Sequence, residues 1–379
     1  MKVLALVKAL DHVCYRYRIE AFAWALAERG LELEVAPLRK GLAGRLRQLR
    51  RAKQADAVVL QRKLLPIWQL ALLRRSAPRL IYDVDDALFQ RDSYSPKGPR
   101  SRMRLARFWA TVFAADAVTV GNHYLKRRTA ALVGSDRVHV IPTCLEPDWY
   151  RPAQHVRLGP RSQLVWIGQE STLASLDCAR QHLTAAAQRL PGLGLRLICD
   201  RTADLSPLRV VPRRWSSATE AAELAEGDIG VNWLPDDSWS RGKCGLKVLQ
   251  YMAAGLPVVA NPVGMNRRMV VHGRTGLLAS TPQQWAEALA RLAADPPLRR
   301  KMGEAGRRLV RQRYSVAGWG PKVADVAAAV VFGTEPGEKS AQADPASSAA
   351  IRHLPRQSGV PALFVPEAAS QLSGGERNL

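Results

Sequence analysis

Short apolar runs alternate along this chain with stretches whose apolar positions recur at three- and four-residue spacing. The runs at 3–7, 31–38, 57–61, 80–84, 117–120 and 138–142 have the continuous apolar character of strands buried on both faces. Between them lie basic or amphipathic helical patterns. The first covers about 17–29, with Ile19, Phe22, Ala23 and Leu26 on one face. Pro147, Pro152, Gly159 and Pro160 then cluster at 146–162, which reads as a linker. A second series follows, with strands at 164–167, 195–199, 208–211, 229–234 and 257–260 and a helix over 171–190. Helices over 283–293, 298–311 and 320–332 close the pattern. From 333 to 379 the chain is rich in Ala, Ser, Pro and Gly without periodicity, and disorder is expected there. No internal repeat is evident.

Strands alternating with helices predict an α/β protein with parallel sheets covered on both faces. Two such series imply two Rossmann-like domains with a cleft between them, a ligand being expected at the carboxyl ends of the strands.

The most informative stretch is 241–264, RGKCGLKVLQYMAAGLPVVANPVG. Leu246, Leu249 and Ala253 form one helical face, Gly255 stops the helix, and 257–260 is a buried strand. Gln250 falls beside the apolar stripe, where an amide needs a partner. Lys243 and Lys247 fall one turn apart at the expected helix start, repelling each other and opposing the positive end of the helix dipole. An anion over that terminus would turn both costs into gains. A solvated basic turn would also account for the lysines.

Composition narrows the partners. The 379 residues are 47% hydrophobic and carry a formal charge of +23. Nucleic acid, an anionic membrane and phosphate-bearing small molecules all suit that charge, as does an arginine-rich genome with no functional meaning. No run reaches the ~18 to 20 apolar residues of a membrane span, 64–73 coming nearest. The opening MKVLALVKALDH lacks the length and cleavage site of a signal peptide, and a cytoplasmic location is expected. Cys14, Cys144, Cys178, Cys199 and Cys244 are scattered, without disulfide or zinc spacing, so no metal is expected.

Other candidates sit where strands should end. The first strand–helix turn has no glycine fingerprint for a dinucleotide, but it carries His12, Arg16 and Arg18. In an extended turn the two arginines would face one way, suited to bidentate capture of phosphate or carboxylate on an acceptor. Asp83, Asp85 and Asp86 close the fourth strand. Asp85 and Asp86 are expected to orient hydroxyls or to cap a helix at Ala87, with a cation as the alternative. Gly168, Ser171 and Thr172 lie between a strand and a helix, where Ser171 or Thr172 would be the N-cap and free amides could receive a phosphate. Trp215 could stack on a base or simply pack.

With those positions in place, GKCGLKVLQYMAAGLPVVANPVG and HGRTGLLA (272–279) resemble the nucleotide-sugar half of GT-B glycosyltransferases of the family-4, "group 1" kind. VGNHYLKRR, VIPTCLEPDWYRP, LVWIGQESTLASL and MGEAGRRLVRQRYS are similar to other parts of that family, so the resemblance covers about 2–330. It implies an acceptor domain over 1–155, a nucleotide-sugar domain over 162–318 and a helix over 319–332 crossing back to the first domain. It also implies transfer from a nucleoside-diphosphate sugar as co-substrate, without metal or other cofactor and with retention of configuration, in polysaccharide or glycoconjugate synthesis. Lys243 and Lys247 would then neutralise the diphosphate and Gln250 would bind ribose. Gly264 and Asn266 would approach the sugar through backbone amides, and Asp85 and Asp86 would orient hydroxyls.

The family's Glu-x7-Glu pair falls on Gly242 and Gln250, leaving the first glutamate without an equivalent unless Asp236 or Asp237 takes its place. A sugar-nucleotide binder without transfer and a sugar-nucleotide epimerase are the alternatives that departure allows. The basic residues of 39–63 beside Leu64, Leu65, Ile67 and Trp68 suit contact with an anionic membrane, from which a lipid-linked acceptor could be reached at the inner face. Nothing in the sequence matches a nucleic-acid-binding motif.

Overall fold

A computed structural model describes residues 1–333; the expectation of disorder for 334–379 falls outside them. Twelve strands form two parallel sheets of six. In the first, β1 (Lys2–Val7), β2 (Glu32–Pro37), β3 (Ala57–Gln61), β4 (Leu80–Val84), β5 (Ala117–Val120) and β6 (Val138–Val140) are ordered 2-1-3-4-5-6. In the second, β7 (Gln163–Ile167), β8 (Gly194–Ile198), β9 (Arg209–Arg213), β10 (Ile229–Asn232), β11 (Val258–Ala260) and β12 (Gly276–Leu278) are ordered 12-11-10-7-8-9. Each order reverses once, between β1 and β3 and between β7 and β10. A reversal opens a crevice at the carboxyl ends of the strands, because the flanking connections leave in opposite directions. The two facing sheets make this a GT-B fold.

The central strands are buried almost throughout, which is why they read as unbroken apolar runs rather than alternations. The three-residue β12 lies within HGRTGLLA and is too short for periodicity to reveal. The helix expected over 17–29 is three pieces: Val13–Arg18, a 3-10 turn at Glu20–Phe22 and Ala23–Glu28. Likewise the helix expected over 171–190 is a 3-10 turn at Glu170–Thr172, then Ala174–Cys178 and Arg180–Arg189. No helix starts at Ala87; the next begins at Arg102, so Asp85 and Asp86 cap nothing there.

The last helix, Val316–Phe332, packs against Ala23–Glu28. Ala324 and Ala327 join Val3, Ala25, Leu26 and Ile81 in one apolar cluster. Gly320 is required at that crossing, since a Cβ on it would lie 2.5 Å from the Trp24 ring.

Carboxyl-end segments of the two sheets touch directly. Asn122, after β5, caps the helix His123–Val133 by accepting from the Leu125 amide. Its carboxamide nitrogen reaches the carbonyls of Gly242 at 2.9 Å and Lys243 at 3.1 Å. The Cys244 thiol donates to the Asp85 carbonyl at 3.0 Å. Segment 241–244, after β10, is thus fastened to the edge formed by β4 and β5.

Candidate functional site

The helix Leu246–Ala253 starts after Gly245, whose φ of +74° is left-handed and free of cost only for glycine. No side chain caps this terminus, so its first amides are open to an outside acceptor. Lys243 is not in the same helix as Lys247. It terminates the short helix Ser238–Gly242, and its ammonium lies 5.7 Å from the centroid of the Trp239 ring.

Lys247 occupies a tighter seat. Its ammonium stands 3.7 Å from the centroid of the Trp166 ring, on β7, and 3.4 Å from Thr172 Oγ1. Gly168 forms the floor, since a Cβ there would lie 2.3 Å from the Trp166 ring and 2.8 Å from Lys247 Nζ. Loss of hydration, followed by repulsion from Lys243, drives the Lys247 pKa well below that of a free lysine. The side chain as a whole is only half-buried, but the ammonium end is the desolvated part, and it is the part that titrates. Neither lysine has a carboxylate within ion-pairing distance among the described residues. A desolvated, unpaired cation over an aromatic face is electrostatically incomplete, and an anion would complete it.

Gln250 is buried on the same helix, with Nε2 3.5 Å from the Tyr17 hydroxyl. Tyr17 leads into a network joining the two sheets. Its hydroxyl donates to Glu220 Oε1 at 2.8 Å, and Tyr150 donates to the same oxygen at 3.0 Å. Trp215 donates its indole N–H to Glu220 Oε2 at 2.9 Å. Trp215 is half-buried, with its polar edge engaged by Glu220. Arg16 extends the network, its Nη1 3.5 Å from Glu220 Oε1.

The arginine pair is a correction. Arg16 and Arg18 lie in the helix Val13–Arg18, where a spacing of two places side chains on opposite sides. Arg18 is 5% exposed and faces inward. It meets Asp83 with Nε–Oδ2 at 2.9 Å and Nη2–Oδ1 at 2.6 Å, while Nη1 donates to the Ile141 carbonyl. Each of its guanidinium nitrogens already donates to a protein oxygen. His12 caps the same helix, Nδ1 accepting from the Cys14 amide at 3.2 Å. Burial, then the charges of Arg62 and Lys8, pull its pKa down to about 4, so the ring is neutral at pH 7.

Asp85 and Asp86 are clamped by a residue grouped in the sequence with the basic, membrane-suited stretch 39–63. Arg62 puts Nη1 2.8 Å from Asp85 and Nη2 2.6 Å from Asp86, from a left-handed backbone at φ +55°. Burial pushes the Asp85 carboxyl above its ordinary range, with Arg62 opposing.

At the second sheet, Gly264 needs its φ of +54°, and a Cβ on it would lie 2.9 Å from the Ser240 carbonyl. Asn266 faces inward. Its amide donates to the Val263 carbonyl at 3.1 Å, and its side chain pairs with Asn232 at 2.7 Å, so the expected backbone donation to a sugar is not open to it. Ser171 is exposed in its 3-10 turn and caps no helix; Thr172 donates to the Gln169 carbonyl at 2.9 Å.

Gly242 has a physical reason to depart from glutamate. A Cβ there would lie 2.7 Å from the Ala87 nitrogen and 2.8 Å from the Ala87 Cβ, so no side chain fits while this segment is docked. Asp236 and Asp237 do not replace the missing carboxylate. The first pairs with Arg241 at 2.8 Å, and the second caps the helix Ser238–Gly242. The residues that sequence reasoning passed over, Asn122, Tyr17 and Glu220, act across sheets, whereas Arg62 joins neighbouring strands of the first; only Asn122, as an N-cap before HYLKRR, had a local signal.

Comparison with known proteins places this geometry. The family model "Glycosyl transferases group 1" matches residues 238–309, the segment holding both lysines and Gln250. The GDP-mannose-dependent alpha-(1-6)-phosphatidylinositol monomannoside mannosyltransferase of Mycobacterium tuberculosis is 26% identical over 234 residues, 55% of this chain and 61% of that protein. The chain thus spans about three-fifths of that relative's length. Sucrose-phosphate synthase from Thermosynechococcus elongatus superposes with a TM-score of 0.68 at 17% identity, over 88% of this chain and 100% of that one. Anabaena HepE, solved in complex with UDP-glucose, superposes with a TM-score of 0.63 at 16% identity, over 87% and 100%. Residues 238–309 thus match the group 1 glycosyltransferase model, and the paired parallel sheets share the GT-B fold of these solved structures.

Proposed function

We propose that this protein transfers a sugar from a nucleoside-diphosphate donor to a hydroxyl of a glycan or lipid-linked acceptor, with retention and without a metal. The observation that carries this reading is the Lys247 ammonium, desolvated over Trp166, beside an uncapped helix terminus and near Lys243. As the sugar–phosphate bond breaks, negative charge builds on the departing diphosphate. Preorganised cations and free amides stabilise that charge without reorganising. Lys243 and Lys247 supply the positive charge, and the Leu246–Ala253 terminus supplies donors. Gln250 takes the ribose hydroxyls through its amide. Asp85 and Asp86, held by Arg62, lie next to the docked segment 242–244 and are assigned to the hydroxyls of sugar or acceptor. HepE supports the donor class, since its structure holds UDP-glucose.

The acceptor is assigned to the first sheet and its loops. Ile67 and Trp68 are more than half exposed at the start of the helix Ile67–Ser76, and Leu42 opens the adjoining basic helix Leu42–Arg51. An apolar edge with arginines beside it suits the inner face of an anionic membrane. No helix among the described residues is long and apolar enough to cross one.

A second reading is favoured by one observation. With Gly242 pressed on Ala87 and Gln250 at the second position, no carboxylate from the usual pair faces a sugar. Binding without transfer would fit that arrangement. Incubation with UDP-, GDP- and dTDP-sugars, with nucleoside diphosphate release as the readout, separates the two. Release with at least one donor supports transfer, and tight binding of donors with no release under any acceptor condition supports the second reading.

A further inference from the structure

A cavity of about 290 Å³ lies between the helix His123–Val133 and the segment 262–268, whose last residues belong to the short helix Met265–Met269, and neither Lys243, Lys247 nor Gln250 lines it. Its wall contains His123, Arg127, Gly264, Met265, Arg267 and Arg268, together with the Arg241–Asp236 pair. Four arginines thus face one carboxylate, and that carboxylate is already engaged at 2.8 Å. The helix terminus pointing here adds to the charge. Asn122 caps the Leu125 amide, while the His123 and Tyr124 amides have no acceptor among the described residues. The field is strong enough to act on a neighbour: after desolvation, the charges of Arg268, Lys126 and Arg127 lower the pKa of His123. Arg127, Arg267 and Arg268, exposed around this half-open pocket and without a carboxylate partner among the described residues, recognise an oxyanion together with the helix terminus.

We propose that this cavity holds an anionic group, a phosphate or carboxylate, carried by the acceptor. The assignment rests on the transfer reading above, in which the lysine pair takes the donor diphosphate and leaves this second set of cations without a role. One wall comes from the first sheet's helix and the other from the Gly264 segment, which the family resemblance sets beside the donor sugar. An anion bound here lies on the acceptor side of the transferred residue, and neutral sugars bind weakly by comparison.

Calorimetry on the full chain tests this with inorganic phosphate as probe, in the absence and presence of saturating UDP. Phosphate is expected to bind with UDP already in place. The R267A/R268A double variant and, from the other wall, R127A should each weaken phosphate by about tenfold or more, with UDP affinity held within about twofold. Displacement of phosphate by UDP would overturn the proposal, as would variants that bind phosphate like the parent. UDP-glucose and UDP-glucuronate form the second arm. Selective loss of UDP-glucuronate in the double variant would move the anion onto the donor and refute the acceptor assignment. If no donor of the panel turns over, the transfer reading fails and takes the acceptor assignment with it. Phosphate binding that depends on Arg127 would then stand alone as an anion site.

Discussion

The Lys247 ammonium rests 3.7 Å from the centroid of the Trp166 ring, so a cation from the helix after Gly245 is seated on a strand of the same sheet. That seat removes water from the charge while offering only a π-face and one hydroxyl in return. Replacement by Lys247→Met keeps the apolar stem on Trp166 and deletes the charge. The kcat/KM of that variant should fall by about 10²- to 10³-fold. Tm should stay level or rise slightly, because a desolvated cation has been removed. A loss of Tm alongside the loss of rate would point to packing instead.

The same lysine predicts a pH dependence. Its pKa is lowered in the free protein, and a bound diphosphate favours the charged form and raises it. In the window between those two pKa values, binding a nucleoside diphosphate takes up a proton. Affinity should therefore fall as pH rises through the lowered, free-state pKa, and stay level well below it. Titration calorimetry in buffers of different ionisation enthalpy reads the proton directly, and Lys247→Met should abolish the uptake.

Arg18 is expected to behave as a structural residue. Arg18→Ala strands Asp83, which would keep, among the described residues, the Thr119 hydroxyl at 2.7 Å as its one side-chain donor. Losing one partner of a buried ion pair costs about 3 to 5 kcal/mol. Urea denaturation should show a loss of that order. A variant of unchanged stability but weakened phosphate binding would restore the ligand role.

Gly242→Glu restores the family's carboxylate and should nonetheless be harmful. The new side chain meets the Ala87 backbone, so segment 241–244 must lift and release the Asn122 and Cys244 bonds. A cost of about 1 to 3 kcal/mol is expected, read as a lowered Tm. An unchanged Tm would mean that the docking against Ala87 contributes little.

The fold was legible because both sheets are parallel and covered on both faces. Strands such as Ala57–Gln61 and Leu80–Val84 therefore stand out as apolar runs, while β12, three residues long, does not. Lys247 and Gln250 were legible too, since a charge and an amide break a helical pattern locally. Arg16 and Arg18 misled because their meaning depends on whether the turn is extended or helical, and two residues of spacing carry opposite geometry in the two cases.

By itself, then, the chain's order of apolar and polar positions determined two successive strand–helix series and the segment that interrupts the second with lysines and a glutamine. Local periodicity carries that information, because secondary structure is chosen by neighbours in sequence. Only the tertiary structure decided that Arg18 belongs to Asp83, that Arg62 holds Asp85 and Asp86, and that four arginines from three helices line one cavity. The ion pairs join residues from 23 positions apart (Arg62–Asp85) to 65 (Arg18–Asp83), and charge pairing at such separation is fixed by how the strands pack rather than by any pattern along the chain.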